Sequence, residues 1–292
     1  MLRLRAPAKI NLTLEVLGRR KDGYHEVRTV LQAIDLSDEL SFEPSQELVL
    51  RVDPIDAAPT EDNLVLKAAM LLRARSGCGA GASIHLQKRI PTGAGLGGGS
   101  SDAAIALLGL CRLWELELEL DELTDIASQI GSDVPFFLSG GTALASGRGD
   151  HLAVLPLPVE SHAVIVDSDN HKLENKTRQM YGQLTPSEYS DGGTTADVVH
   201  RLHTGARISD QFTNVFETAA MRMHDAYDAM HLRLAEVGLD RFGLCGSGPA
   251  VFGLFMDERA ASGAANRIQN LGYRVFITRL LSCWSPTELE IS

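Results

Sequence analysis

Residues 91–104 read PTGAGLGGGSSDAA, with Gly93, Gly95, Gly97, Gly98 and Gly99 crowded ahead of the adjacent Ser100 and Ser101. A backbone without Cβ atoms turns sharply and aims successive N–H groups inward. A helix that follows adds unpaired N–H groups and the positive end of its dipole. That chemistry fits phosphate. Gly93, Gly95 and Gly98 satisfy GxGxxG, but the segments beyond them read as helices, where a dinucleotide site needs a second strand with a ribose-binding acid. No Gly-Lys-Ser/Thr closes the run, so it is not a Walker A loop. A plain turn before a core helix needs one or two glycines and leaves Gly97 through Ser101 unexplained.

Other polar residues stand out by their neighbours. Asp133, in SDVPFF, is charged beside an apolar segment; it reads as a turn or cap residue, or as a carboxylate able to accept an alcohol's proton during phosphoryl transfer. Lys9 lies between Pro7 and a strand starting at Ile10 and reads by default as an exposed cation. Asn11 shares its face by the period of two. Tyr24 and His25 sit in the charged turn GRRKDGYHE, 18–26, where an aromatic has less reason to be core; a ring face and imidazole nitrogens suit a nucleobase. Asp102 reads as a first-turn acid favouring the helix dipole, in preference to a substrate contact.

The elements that must position these residues alternate without regular βαβ spacing, which predicts an α+β fold. Strands are expected at 2–6, at 10–16 after an interruption by Pro7, at 27–34, 48–52 and 82–88. Helices are expected from a cap at Thr60 or Asp62 to the RARSG stop, at 100–113 and at 121–130. LPLPVE near 155 reads as the start of a second unit. That unit holds a strand at 162–167, helices at 172–184 and 194–203, and a helical hairpin or broken helix over 213–236. A strand–helix–strand ending over 243–281 is of the ferredoxin-like split type. The stretch 185–194 is expected to be a mobile loop.

Bulk composition narrows the partners. A chain of 292 residues with 44% hydrophobic content supports one large or two ordinary domains. Net charge of -11 works against a nucleic-acid or anionic-membrane surface and favours a small-molecule partner. Cys78, Cys111, Cys245 and Cys283 form no CxxC pair, and His200 and His203 have no companions at ligand spacing, so free thiols and no protein metal site are expected. No run of 18 uncharged apolar residues occurs, and a soluble cytoplasmic protein, monomeric or weakly dimeric, is expected.

The glycine run resembles the phosphate loop of the GHMP kinase superfamily, and its triple glycine with SSDAA resembles the branch whose acceptor alcohol carries a cytidine diphosphate group. APAKINLTLEVLGRRKDGYHEVRTV (6–30), GSDVPFFLSGGTALASGRGD (131–150) and GLCGSGPAVFGLF (243–255) are similar to further signatures of that branch. The resemblance spans nearly the whole chain. It implies an N-terminal ribosomal-protein-S5-domain-2-like domain over 1–155, a C-terminal ferredoxin-like domain over 156–292, and an active site in the cleft between them.

The resemblance also implies roles. ATP phosphates would lie along Pro91, Gly93, Ala94, Gly95, Leu96, Gly97, Gly98, Gly99, Ser100 and Ser101, with Mg²⁺ near a hydroxyl of Ser100 or Ser101. Asp133 would be the catalytic base and Lys9 its electrostatic partner. Asn11 would bind the acceptor, Tyr24 stack on cytosine and His25 hydrogen-bond it, with Tyr181 the second aromatic. Gly246, Ser247 and Gly248 would approach from the second domain. The implied reaction is ATP-dependent phosphorylation of the 2-hydroxyl of 4-diphosphocytidyl-2-C-methyl-D-erythritol, in non-mevalonate isoprenoid precursor synthesis.

Two segments depart from the family pattern. VDSDNHKLENKTRQMYG, 166–182, has NKT in place of the usual proline-containing and Val-Ser-Thr run, and FTNVFE, 212–217, has Val215 where an acid is expected. Both bear on substrate closure more than on phosphoryl transfer. The competing readings are a GHMP kinase for homoserine, mevalonate or a sugar, which GYHE at 23–26 disfavours, and a nucleotide-binding protein without turnover, which Lys9 and Asp133 together disfavour.

Overall fold

In the computed structural model of the protein, residues 1–54, 63–167, 176–223, 225–239 and 241–291 are described. The chain opens with a long antiparallel pair, β1 (Leu2–Arg19) and β2 (His25–Ser45), in register from Leu2↔Phe42 to Arg19↔His25. Pro7 does not split β1 as the sequence suggests. It sits where the pairing slips from Ser37 to Ile34, and such an irregularity accommodates a residue that has no N–H to give the ladder.

The far edge of β2 is used twice, which explains why it outruns the expected 27–34. Residues 39–45 pair with β4 (Gly81–Gln87), and residues 27–32 pair with β5 (Thr142–Gly147). Outside β4 lies the parallel β3 (Leu48–Asp53), and β5 continues into the antiparallel β6 (His151–Leu155). The β5–β6 hairpin is absent from the sequence expectation; TALASG carries two alanines and a glycine, types depleted in strands.

Three helices cover this sheet: α1 (Leu64–Ser76), α2 (Gly98–Leu113) and α3 (Leu120–Ile130). Asn63 caps α1, its Oδ1 accepting from Val65 N at 2.9 Å; the expected caps Thr60 and Asp62 lie outside the described residues. Helix α2 is buried continuously from Ser101 to Leu110, and a Cβ at Gly109 would lie 2.5 Å from the Phe42 ring. A helix enclosed all round is held rigidly by its packing. The glycine run at its start is therefore anchored to the core.

The second half forms a sheet of β7 (His162–Asp167), β9 (Gly243–Leu244), β10 (Val251–Phe255) and β11 (Arg274–Arg279), ordered β11-β7-β10-β9 with antiparallel neighbours among the described residues. The last strand lies beside the first, and the third separates the first from the second, which is the ferredoxin-like order expected from sequence. Its helices are α4 (Lys176–Gln183), α5 (Gly193–Thr204), α6 (Glu217–Met223), α7 (Asp225–Glu236) and α8 (Glu258–Gln269). Residues 172–175 of the expected 172–184 helix lie outside the described residues.

The stretch read as wholly helical from 213 begins instead with β8 (Thr213–Asn214), parallel to β1 at Thr13 and Leu14. Pairing with an available edge decides the conformation of so short a segment. Within 185–194, Pro186–Glu188 forms a 3-10 turn and Ser190 N donates to Val16 O at 3.0 Å. No helix of the described residues is long and apolar enough to cross a membrane.

Candidate active site

A cleft of about 1410 Å³ is lined from both halves of the chain, and the segment Pro91–Ser100 forms one wall. Lys9 N donates to Leu96 O at 2.9 Å, pinning the glycine run to β1. Gly95 has φ +87°, and a Cβ there would lie 1.8 Å from Cys245 O. Only glycine allows so close an approach at that dihedral angle. Helix α2 starts at Gly98 with Gly97 as its cap and no side-chain acceptor for its first N–H groups, which suits an anion. Ser101 departs from expectation. It is fully buried, is not part of the cleft wall, and its hydroxyl has no hydrogen-bond partner among the described residues, so Ser100 alone offers the cleft a hydroxyl from this pair.

Lys9 is 4% exposed, not the surface cation that its position near the chain start suggests. Its Nζ donates to Asn11 Oδ1 at 2.7 Å and lies 3.4 Å from Asp133 Oδ2. Asn11 Nδ2 in turn donates to Thr29 Oγ1 at 2.9 Å, which orients the amide. Asp133 precedes a 3-10 turn over Pro135–Leu138, and its side chain is 40% exposed. A half-exposed carboxylate beside a buried ammonium can accept a proton while the ammonium steadies developing negative charge.

The second half reaches this pair through the Gly246 turn. A Cβ on Gly246 would lie 2.8 Å from Gly95 O and 3.3 Å from Lys9 Nζ. Asn214 Nδ2 holds the turn by donating to Leu244 O at 3.0 Å and Gly246 O at 2.8 Å. The diverged FTNVFE segment thus keeps a structural amide even with Val215 in the acid's place. Gly246 and Ser247 line the cleft.

Farther along the cleft lie the aromatic residues. Tyr24 is 56% exposed, with the Arg148 guanidinium 5.2 Å from its ring centre. His25 and Tyr181 stack at 4.9 Å, and Tyr181 meets Phe216 edge-on at 4.8 Å. Burial, helped by the Arg19 charge, holds His25 below the ordinary imidazole range. A neutral ring has one donor and one acceptor nitrogen, and stacking covers its face while leaving its edge for hydrogen bonds.

Comparison with known proteins decides the family. The GHMP kinases N terminal domain family matches residues 63–141 and the GHMP kinases C terminal family residues 199–274. A 4-diphosphocytidyl-2-C-methyl-D-erythritol kinase of Pelotomaculum thermopropionicum is 40% identical over 94% of this chain and 96% of its own length. The chain belongs to the 4-diphosphocytidyl-2-C-methyl-D-erythritol kinase family of GHMP kinases. A relative of the same description from Dehalococcoides mccartyi is 36% identical over 96% of this chain and 99% of its own. A crystal structure described as 4-(cytidine 5'-diphospho)-2C-methyl-D-erythritol kinase superposes with a TM-score of 0.79 at 34% identity, covering 95% of this chain and 98% of that one. Homoserine kinase from Cytophaga hutchinsonii, 18% identical over 98% of this chain and 96% of its own, shares the fold with a TM-score of 0.75.

For a chain of this family, the charges around the glycine run hold two surprises. Asp102 is not a first-turn acid; its Oδ2 accepts from Lys88 Nζ at 2.7 Å, and the same ammonium reaches Asp38 Oδ2 at 2.5 Å. Asp38 Oδ1 also accepts from Ile90 N at 2.8 Å. Burial pushes the Asp102 carboxyl up to about 8, with Lys88 opposing and Asp38 reinforcing the rise. Lys88 was visible in sequence only as the last residue of the alternating ASIHLQK segment. Lys176, inside the diverged NKT, is 7% exposed, and its Nζ donates to Gly93 O at 3.3 Å. The sequence signal was the charge itself, uninterpretable until the fold brings α4 to the loop.

Proposed function

We infer that this chain transfers the terminal phosphate of ATP to the 2-hydroxyl of 4-diphosphocytidyl-2-C-methyl-D-erythritol, a step of non-mevalonate isoprenoid precursor synthesis. The observation that carries the reading is the Lys9–Asp133 pair, 3.4 Å apart, beside a glycine loop of the family's type in a chain 40% identical to such a kinase.

Phosphates lie along Pro91–Ser100, where backbone N–H groups and the start of α2 supply donors. Asn11 and Lys9 orient the acceptor hydroxyl. Asp133 takes its proton as the oxygen attacks the γ-phosphorus; the bond from that phosphorus to the bridging oxygen breaks, and ADP departs with that electron pair. Lys9 offsets negative charge on the attacking oxygen. The cytosine is held by the Tyr24 face, the His25 edge and the wall formed by Tyr181. No group of three or more His, Cys, Asp or Glu among the described residues forms a cage for a metal. Mg²⁺, a hard ion that keeps waters and takes phosphate oxygens, fits beside the Ser100 hydroxyl at the start of α2. When bound with the nucleotide, it would neutralise phosphate charge.

We divide the chain at residue 155, where β6 ends. All four cysteines are free, which supports a reducing cytoplasm. We take the chain to be a monomer or weak homodimer.

The test is ADP release with Mg-ATP and 4-diphosphocytidyl-2-C-methyl-D-erythritol against mevalonate, homoserine and galactose, with ³¹P NMR locating the new monoester. Release specific to the cytidyl compound, with phosphate on its 2-oxygen, is expected. Release with another acceptor instead would refute the cytosine contacts, and silence with all four would refute turnover.

A further inference from the structure

Lys88 and Lys176 both bring an ammonium to the glycine loop, but among the described residues only Lys88 is met by carboxylates. Lys88 is within ion-pair distance of both Asp38 and Asp102. Lys176 has a carbonyl, Gly93 O at 3.3 Å, and no described carboxylate within ion-pair distance. The titratable groups that act on it are the Cys245 thiol, ahead of the Gly246 turn, and Asp167 at the end of β7. Their pull is weaker than the cost of burial, which brings the ammonium down to about 8.

The position of this side chain is held from two sides. Thr177 Oγ1 lies 3.2 Å from Ser247 Oγ, so the first turn of α4 is tied to the Gly246–Ser247 turn. That turn in turn packs on Gly95 and approaches Lys9 Nζ. Lys176 therefore stands where the start of the glycine loop, the turn from the second half and the Lys9 side of the cleft converge. A buried ammonium that meets no carboxylate among the described residues is costly unless an incoming anion supplies opposite charge. Phosphate is the anion that this cleft receives under the kinase reading above, on which the inference rests.

We propose that Lys176 is a phosphate-binding residue of the transfer reaction, its ammonium receiving the terminal phosphate of ATP across the loop from α2. It lies in the diverged NKT, outside the segments that carry the family resemblance. Because α4 also bears Tyr181, the same contact ties the nucleotide to the helix that walls the aromatic end of the cleft.

The experiment is calorimetric titration of the full chain with Mg²⁺ and either the non-hydrolysable analogue AMP-PNP or ADP. It is run at pH 8 in two buffers of different ionisation enthalpy, for wild type, Lys176→Met and Lys176→Arg. At that pH the magnesium-bound phosphates are already deprotonated, so proton uptake reports a protein group. Wild type is expected to take up part of a proton with AMP-PNP. Lys176→Met should lose that uptake and bind AMP-PNP about ten-fold or more weakly with ADP little changed. Lys176→Arg should restore affinity without uptake, because a guanidinium is already charged. Equal weakening of AMP-PNP and ADP would overturn the terminal-phosphate assignment, as would wild-type behaviour of the methionine variant. Absent uptake by wild type overturns the proposal without recourse to any variant. If wild type binds neither nucleotide, the kinase reading itself falls; normal wild-type binding with an indifferent Lys176→Met sinks the inference alone.

Discussion

Beneath the start of α2, Lys88 lies between Asp38 and Asp102, and none of the three side chains is more than 8% exposed. Across the glycine loop, Lys9 faces an Asp133 that is 40% exposed, and among the described residues Lys176 bonds a carbonyl and meets no carboxylate. The first region encloses its electrostatics: one buried ammonium is shared by two carboxyl groups, and Asp38 also accepts from backbone N–H groups, at the cost of desolvation. The second leaves the Asp133 carboxylate open to solvent and, among the described residues, Lys176 without a carboxylate, at the place where a phosphate and an alcohol would arrive. Pairing serves the fold in one region, and the deficit makes the other able to bind and react. Substitutions in the first should cost stability, and those in the second should cost chemistry.

The sharpest contrast is expected at Asp133. Asp133→Asn should lower kcat by about 10²–10⁴, while its melting curve and nucleotide affinity stay those of wild type; an unchanged rate of ADP release would remove Asp133 from the mechanism. Next comes Lys88→Met, which strands the Asp38 carboxylate in the interior. It should cost roughly 3–5 kcal/mol of unfolding free energy in a urea titration, and a loss near zero would dissolve the distinction between the two regions.

A further effect separates by pH. Folded Asp102 titrates near 8 against an ordinary 3.8, so between those values the folded chain binds more protons than the unfolded one, and this group's contribution to stability falls as pH rises. Asp102→Asn removes that slope. Thermal melts should show the variant gaining on wild type from pH 4 to 8; a constant difference would mean that Asp102 titrates in the ordinary acid range.

Smallest is Lys176→Met, with the opposite sign to Lys88→Met. Folded Lys176 titrates near 8 against 10.5, so the unfolded chain binds more protons in that window and wild-type stability rises with pH across it. The variant should melt a few degrees higher at pH 7, with the advantage shrinking towards pH 10. A lower melting point at pH 7 would show Lys176 to be a structural residue like Lys88.

Local pattern made much of this legible. The alternation at 82–88, the hydrophobic run of α2 and the ferredoxin-like ending all follow from side-chain period and turn chemistry. What escaped depends on partners distant in sequence. Pro7 reads as a break until β2 offers a place for the register to slip, and Thr213–Asn214 is a strand only because β1 lies beside it. In the cleft, the glycine run advertises itself through composition. Lys9 as a buried cation, the Lys88 cluster and Lys176 do not, because burial and charge partners are properties of the assembled fold. Ser101 shows the converse: adjacency to Ser100 suggested a shared task, and helical geometry turned it inward.

One edge of β1 is paired along its length with β2; the other is covered piecemeal. Ile291 N donates to Arg3 O, Lys9 N to Leu96 O, Val215 N to Leu14 O and Ser190 N to Val16 O, with Thr213 and Asn214 laddered between. Except for Leu96, those segments come from the last third or so of the chain. An N-terminal half expressed alone would expose an unpaired strand rim, a template for aggregation. The strand that carries Lys9 and Asn11 is thus sheltered by chain synthesised long after it, and a truncated product would be insoluble before the question of its activity arose.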